Sequence, residues 1–195
     1  RLYDWVHNDA ACRTKTTMKT IHFTLHPFLA DGPAADLAIT GWVGRGHETL
    51  VIDYRLHGPL DRLHIPPKAR APLRSHDLWK ETCFECFLKT VSEVYWEVNL
   101  SPAGHWNVYR FDAYRHGMRE EQAFAALPVE VGATKDVFGL TAAVDLRTID
   151  PTHRPLKVAL SAVIRTVDNQ ISYWALAHPG PKPDFHHEES FILTI

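Results

Sequence analysis

Apolar and polar residues alternate with a period of two along most of this sequence, and that alternation limits the folds open to it. Successive side chains of a β-strand point to opposite faces of a sheet, so each alternating segment predicts a strand. Such segments occur at residues 21–25, 37–43, 50–56, 83–88, 94–100, 106–111, 129–131, 137–144, 156–164, 171–176 and 191–195. Helical spacing is confined to residues 146–149 and 112–126, the latter predicted as one short helix or an ordered loop. Roughly ten short strands predict an all-β fold, a single antiparallel β-sandwich or jelly roll with at most one or two short helices.

The composition argues against two classes of partner. Lys and Arg number 21 against 23 Asp and Glu in a chain of 195 residues, which leaves a formal net charge of −2. Nucleic acids and anionic membrane surfaces select proteins with clustered positive charge, so we expect neither as the main partner. No apolar run approaches the roughly 20 residues of a membrane-spanning helix, so we expect no membrane insertion.

Residues 1–17 differ from the rest of the chain because they show neither alternation nor an apolar run. A secretory signal needs an apolar core, so we do not expect this segment to be one. Met18 is followed at once by the first alternating segment. We therefore predict a poorly ordered extension at residues 1–17, with Met18 as a candidate natural start, and a β-sandwich domain at residues 18–195. A cytoplasmic location is the corresponding expectation, and a signal upstream of residue 1 stays open.

The chain has three cysteines, Cys12, Cys83 and Cys86, and an odd, low number suits a reducing compartment better than a disulfide framework. The Cys83-Phe-Glu-Cys86 spacing occurs in redox and zinc sites. Here it lies in an alternating segment, and strand residues three apart face opposite sides of the sheet. We therefore predict two packed thiols that form neither a disulfide nor a metal site.

Two carboxylates and an amide occupy one face of the central predicted strands. Glu85, Glu97 and Asn99 share this face, whereas the reverse faces of the same strands are apolar. Three interpretations are open: a sheet face in contact with water, a ligand-binding face, and a general acid–base pair for glycoside hydrolysis. On a binding face these side chains would accept hydrogen bonds from sugar hydroxyls or coordinate calcium.

Tryptophans supply further candidates for ligand contact. Trp79 precedes a predicted strand and Trp106 follows a turn, so both indoles can lie at the rim of the sandwich and stack on a ligand. Trp174 is a third candidate, whereas Trp96 shares an apolar face and is expected in the core. The alternative is that the rim rings close the end of the sandwich.

The loop before the last predicted strand contains three prolines and several polar residues, among them His178, Asp184, His186 and His187. Two histidines near carboxylates favour metal binding, but adjacent side chains diverge on an extended chain. Proline restrains the backbone, which suits either a preorganised binding loop or a simple closure of the sandwich.

Three segments of the chain carry a family resemblance. They are Leu78-Trp79-Lys80-Glu81-Thr82-Cys83-Phe84-Glu85-Cys86-Phe87-Leu88, the stretch from Tyr95-Trp96-Glu97-Val98-Asn99 to Tyr114-Arg115-His116-Gly117-Met118, and Ser172-Tyr173-Trp174-Ala175-Leu176-Ala177-His178-Pro179 with Pro183-Asp184-Phe185-His186-His187. Together they resemble a bacterial subgroup of the DOMON-like domains, which are related to family 9 carbohydrate-binding modules. The resemblance runs from Met18 to the end of the chain and implies a β-sandwich that binds sugars or haem without doing chemistry on them. Haem-binding members use Met and His as axial ligands, and this chain offers only Met118 with His178 or a neighbour.

The sequence thus predicts a non-catalytic β-sandwich module that binds a carbohydrate or a similar small polyhydroxylated ligand. The predicted ligand-binding residues are Trp79, Glu85, Glu97, Asn99, Trp106, Trp174, His178, Asp184 and His186. No cofactor is expected, and haem and calcium stay open as alternatives. The rival functions are a haem-binding domain of the DOMON type, a hydrolase or isomerase that uses Glu85 and Glu97, and a structural domain without a small ligand.

Overall fold

The computed structural model describes residues 18–195, in which the regular elements are β-strands and short 3-10 turns. The strands, all paired antiparallel, are β1 (Lys19–Pro27), β2 (Ala38–Arg45), β3 (Thr49–His57), β4 (Cys83–Lys89), β5 (Tyr95–Leu100), β6 (Trp106–Phe111), β7 (Arg119–Glu120), β8 (Val129–Ala133), β9 (Val137–Asp145), β10 (Lys157–Arg165), β11 (Ile171–Ala175) and β12 (Leu193–Thr194). The 3-10 turns are Gly32–Ala34, Leu60–Arg62, Leu78–Lys80 and Glu188–Ser190. The all-β antiparallel fold predicted from the alternation is confirmed.

The strands form one continuous sheet in the order β7-β6-β5-β4-β10-β11-β1-β2-β3-β9-β8, with β12 paired to β10. Strand β1 joins two halves of this sheet, because residues 19–25 pair with β2 whereas His26 and Pro27 pair with β11. The sheet curls so that the halves pack face to face as a sandwich. We call them the β3 half (β1, β2, β3, β9 and β8) and the β4 half (β7, β6, β5, β4, β10 and β11).

The core lies between the two halves and consists of the inward residues of each strand. Tyr54 of β3 and Phe84 of β4 are fully buried, and their rings lie 5.1 Å apart. The Tyr54 hydroxyl donates a hydrogen bond of 2.7 Å to the main-chain oxygen of Glu85. This bond satisfies a buried phenol and joins the two halves at the strand that carries the first candidate carboxylate.

Both faces of β4 and β5 are buried, although an antiparallel sheet often has one face in water. One face packs on the core. The opposite face, called the outer face here, carries a second apolar cluster that includes Phe87 and Tyr95. Trp79 and Phe185 pack against this cluster. The outer face is therefore covered by the turn at Leu78–Lys80 and by the loop between β11 and β12.

Residues 112–126 form turns and the short strand β7, so the ordered loop is found there and the short helix is not. Arg74, which lies outside this segment of the chain, stabilises the loop. Its guanidinium donates hydrogen bonds to the main-chain oxygens of Glu121 and Phe124. An α-helix uses such carbonyl groups for its own hydrogen bonds. Phe124 is buried in the core, which fixes the loop in place.

Two other elements are shorter than the sequence predicts. Residues 146–149 make a single turn, in which the main-chain nitrogen of Asp150 donates to the oxygen of Leu146 at 2.7 Å. The predicted last strand is confined to Leu193–Thr194, because the main-chain nitrogens of Phe191 and Ile192 donate to the oxygens of Glu188 and Ser190 instead of to a neighbouring strand. Within residues 18–195 no helix is long and apolar enough to cross a membrane. The predicted extension at residues 1–17 and Cys12 lie outside the described residues.

Cys83 and Cys86 point to opposite faces of β4, as the strand assignment predicts. Both are free and fully buried. Cys86 belongs to the core, whereas the sulfur of Cys83 lies 3.6 Å from the side-chain oxygen of Asn99 on the outer face. Burial is the largest cause that raises the pKa of each thiol.

We expect N-ethylmaleimide to label neither Cys83 nor Cys86 in the folded protein and to label both after unfolding in urea without reductant. A buried thiol with a raised pKa is inert, and side chains on opposite faces of a strand cannot form a disulfide. Mass spectrometry of the peptide that contains both cysteines measures the labelling. Recovery of that peptide as an unlabelled disulfide would contradict the strand geometry.

Candidate functional site

A pocket of about 370 Å³ lies on the outer face of the β4 half. Strands β4, β5, β6 and β10 form its floor, and the covering turn and loops form its sides. Its charged and polar lining residues are Glu85, Glu97, Arg115 and His186. Ligand pockets measure about 300–1,000 Å³ and combine apolar walls with a few polar groups, so this pocket is the candidate binding site.

Strand register places two carboxyl groups near each other on the floor of the pocket. Glu85 pairs with Asn99 and Phe87 pairs with Glu97, so Glu85 and Glu97 are diagonal neighbours on β4 and β5. Diagonal neighbours lie about 7–8 Å apart, within reach of long side chains. Glu85 and Glu97 are only 3% and 5% exposed, which excludes the interpretation of this face as a surface in contact with water.

Each of the two carboxyl groups accepts one hydrogen bond from a neutral side chain. Ser161 Oγ donates to Glu85 Oε2 at 3.1 Å, and Asn99 Nδ2 donates to Glu97 Oε1 at 2.8 Å. Each bond engages one oxygen of its acceptor. The second oxygen of Glu85 has no hydrogen-bond partner among the described residues, and the second oxygen of Glu97 has His186 Nε2 nearest to it, at 3.8 Å.

Burial controls the protonation of both carboxyl groups. It raises the pKa of Glu97 to about 7, although the hydrogen bond from Asn99 acts in the opposite direction. Burial also raises the pKa of Glu85 well above its usual range, and the nearby Glu97 raises it further. The pair therefore keeps protons to a higher pH than free carboxyl groups do, and a protonated member can donate as well as accept hydrogen bonds.

Arg115 lies at the rim of the pocket in a turn after β6, and it is not among the site residues predicted from the sequence. Its φ of 51° is in the left-handed region, and its main-chain nitrogen donates to the Tyr95 hydroxyl at 3.1 Å. Its guanidinium donates to Asp184 Oδ1 at 2.8 Å. The positive charge of Arg115 lowers the pKa of Glu85 and of Glu97, though by less than burial raises them.

His186 forms part of the pocket wall from the loop between β11 and β12. Its Nδ1 lies 2.8 Å from the Tyr95 hydroxyl. If the hydroxyl donates to Nδ1, the ring proton is on Nε2, which lies 3.8 Å from Glu97 Oε2. Burial, with the charge of Arg115 acting in the same direction, lowers the pKa of His186 to about 4. The ring is therefore neutral at pH 7, and its contact with Glu97 is not an ion pair.

Apolar side chains surround the polar floor. The apolar lining residues are Trp79, Phe111, Met118, Val163, Tyr173, Pro183 and Phe185. Trp79 packs edge-on against Tyr109, with ring centroids 5.4 Å apart, and Tyr173 packs in the same manner against Phe185 at 6.2 Å. These contacts hold the aromatic rings that face the pocket.

Four of the nine predicted ligand-binding residues meet in this pocket: Trp79, Glu85, Glu97 and His186. Two further predicted residues form hydrogen bonds with residues that line the pocket. Asn99 is fully buried and bonds Glu97, and Asp184 bonds Arg115.

The other three predicted residues lie elsewhere. Trp106 and Trp174 are 4% and 2% exposed and belong to the core, so neither indole offers a surface for stacking. Their strand positions alternate with outward residues, and Tyr173 rather than Trp174 faces the pocket. His178 Nε2 donates to the main-chain oxygen of His26 at 2.8 Å, outside the pocket.

The arrangement of the histidines and methionine bears on the metal and haem alternatives. Residues 18–195 contain no group of three or more His, Cys, Asp or Glu side chains placed to hold a metal ion. His186 faces the pocket, whereas His187 Nδ1 accepts a hydrogen bond from the main-chain nitrogen of Glu189. Met118 lines the pocket and His178 does not, so these two residues do not face a shared ligand there.

Comparisons with known proteins support the fold. No protein family profile and no curated protein matches the sequence. A candidate carbohydrate-binding protein from Bacteroides uniformis is similar in structure, with a TM-score of 0.59 and 10% identity over 87% of this chain and 83% of its own. A family 9 carbohydrate-binding module from Caldicellulosiruptor kristjanssonii, solved with glucose, has a TM-score of 0.43 and 9% identity over 72% of this chain and 66% of its own. At such identities a structural likeness shows a shared fold and no more, and the DOMON-like assignment is not confirmed.

Glu97→Gln keeps the shape of the side chain and removes its titration, so it should change how stability depends on pH. Folding raises the pKa of Glu97 from 4.5 to about 7, so its contribution to stability is present below pH 4.5 and is lost as the pH rises to 7. We expect the variant to match the wild type at pH 4.5 and to gain roughly 1–3 kcal/mol in unfolding free energy at pH 8. Urea unfolding of both proteins at both pH values measures the difference.

In the wild type, His186 has the opposite effect on how stability depends on pH. Its pKa falls from 6.5 to about 4 on folding, so its contribution to stability is lost as the pH falls through that range. It remains in the variant and cancels in the comparison. The control is Glu93→Gln, whose side chain is 78% exposed and which should change stability by less than about 0.5 kcal/mol at both pH values. A lower stability of Glu97→Gln at pH 8 would contradict the assignment.

Proposed function

We propose that this protein is a ligand-binding module whose pocket on the outer face of the β4 half binds one small polyhydroxylated molecule, with a single sugar ring as the leading class. The observation that carries the proposal is the placement of two buried carboxyl groups, Glu85 and Glu97, at the floor of a pocket with aromatic walls. A sugar likewise has a polar and an apolar surface, with hydroxyl groups on its edges and C–H groups on its faces.

The polar groups of the pocket suit vicinal hydroxyl groups. The second oxygens of Glu85 and Glu97 accept hydrogen bonds from hydroxyls, and a protonated carboxyl group donates to one. Nε2 of His186 and the guanidinium of Arg115 add donors at the side of the pocket. Because these groups are already held by the fold, a ligand does not have to order them on binding.

The apolar walls suit the C–H face of the same ring. Trp79 is half-buried at the edge of the floor, and its edge-on contact with Tyr109 holds the indole. Indoles offer a large rigid surface for apolar contact. The fold shared with the candidate carbohydrate-binding protein from Bacteroides uniformis is consistent with this function.

A second candidate function is glycoside hydrolysis with the same two carboxyl groups. The observation that favours it is a pair of acids whose environments raise the pKa of Glu97 to about 7 and that of Glu85 well above its usual range. A general acid that works near neutral pH needs such a raised pKa. Release of nitrophenol from nitrophenyl glycosides tests this function. Hydrolysis that is lost in Glu97→Gln would favour the enzyme, and binding without hydrolysis favours the module.

Replacement of the half-buried indole tests the binding module. We expect Trp79→Ala to weaken the binding of at least one of glucose, galactose and mannose by about tenfold or more, because a rigid aromatic contact is lost. Isothermal titration calorimetry with the wild type and the variant gives the affinities. Trp42→Ala is the matched control, since this indole is also half-buried but lies on β2 in the β3 half. Equal loss of binding in both variants would contradict a site at Trp79.

A further inference from the structure

We propose that the ligand carries a protonated amine, so that the ligand class is an amino sugar rather than a neutral sugar, because the pocket holds two buried carboxyl groups without a cation of their own. This inference rests on the proposed function of the same pocket.

The charges that line the pocket do not balance. Glu85 and Glu97 supply two acids, and among the described lining residues only Arg115 has a permanent positive charge. That charge is already paired, since the guanidinium of Arg115 donates to Asp184 at 2.8 Å. His186 is the other nitrogen base in the lining, and it is neutral at pH 7. The carboxyl groups therefore form the acidic excess of the pocket.

The sheet around the two carboxyl groups offers them no further cation. Four titratable side chains on the strands interact with the charge of the pair: Tyr95 on β5, Tyr109 on β6, Cys83 on β4, and Tyr54 across the core. From the loops, the charge of Arg115 acts on both acids, His186 lies beside Glu97, and Asp184 pairs with Arg115. Apart from Arg115, these groups are neutral or acidic at pH 7. A buried carboxylate without a counter-charge is costly, so these groups favour the protonated form instead.

A ligand ammonium group supplies what the floor lacks. Each carboxyl group has one oxygen engaged by a neutral donor, Ser161 or Asn99, and a second oxygen without a hydrogen bond from the described residues. The nearest base to the second oxygen of Glu97 is the neutral His186, at 3.8 Å. An ammonium group has three donors and no acceptor, so it complements carboxylate oxygens, which only accept. Its charge lowers the pKa of both acids and displaces their protons.

The walls of the pocket favour the same group. Aromatic ring faces attract cations through their quadrupole, and Trp79, Tyr173 and Phe185 are among the lining residues. The carbon frame of a sugar would then occupy the space between these rings while its amine reaches the floor. The partly exposed Arg115 at the rim disfavours a second positive charge on the ligand, which points to a monoamine.

The test compares sugars that differ at one substituent. The probes are glucosamine, glucose and N-acetylglucosamine, with the corresponding galactose and mannose series, titrated into the wild-type protein at pH 7 by calorimetry. In at least one series we expect the amine to bind ten times or more tightly than both its neutral parent and its N-acetyl form. Titration in two buffers of different ionisation enthalpy should also show that protons are released when the amine binds, and not when its neutral parent or its N-acetyl form binds.

Variants separate the charge from the shape of the site. The double variant Glu85→Gln/Glu97→Gln should lose the preference for the amine and the proton release, whereas Glu93→Gln should keep both because that side chain is 78% exposed. If the double variant does not fold, the single variant Glu97→Gln serves, with an expected several-fold loss of preference. Equal affinity for the amine and its neutral parent in every series would overturn this inference and leave the proposed function standing. Failure of every sugar to bind would overturn both.

Discussion

The structure depends on the burial of both faces of the strand pair β4 and β5. Their inward residues, such as Phe84 and Cys86, form the core between the two halves of the sheet. Their outward residues include Phe87 and Tyr95, which form an apolar surface that is unfavourable in water. The chain covers that surface with loops, and the carboxyl groups on the same face become buried with it. The site is therefore a consequence of how the sheet is covered.

The Tyr95 hydroxyl joins two loops to the sheet, the one between β6 and β7 and the one between β11 and β12. It accepts a hydrogen bond from the main-chain nitrogen of Arg115 and contacts Nδ1 of His186 at 2.8 Å. The ion pair between Arg115 and Asp184 then connects the two loops to each other. Because these polar groups satisfy one another, the loops can lie over the apolar face without buried unpaired atoms at these positions. The walls of the pocket are thus held by contacts within the protein.

The carboxyl groups on the floor of this pocket lower the stability of the fold. This cost favours a functional role for them. A sheet face filled with apolar residues would be more stable than one with Glu85 and Glu97, since burial of either carboxylate opposes its ionisation. Strongly perturbed acids in a pocket are typical of binding and catalytic sites. The same two groups explain why binding and hydrolysis are the two functions to separate, because carboxyl groups in a pocket can hold a ligand and a carboxyl group with a raised pKa can also act as a general acid.

The sequence by itself determined the strands and the face on which each strand residue lies. The alternation placed Glu85, Glu97 and Asn99 on one face and separated Cys83 from Cys86, because strand periodicity is local. Only the tertiary structure decided that this face is covered, that Arg115 completes the pocket, and that the indoles of Trp106 and Trp174 are in the core. The physical reason is that loops without periodicity are positioned by contacts between distant residues. The pair Arg115 and Asp184 is 69 residues apart in the chain and the pair Tyr95 and His186 is 91 residues apart, and no local pattern encodes either contact.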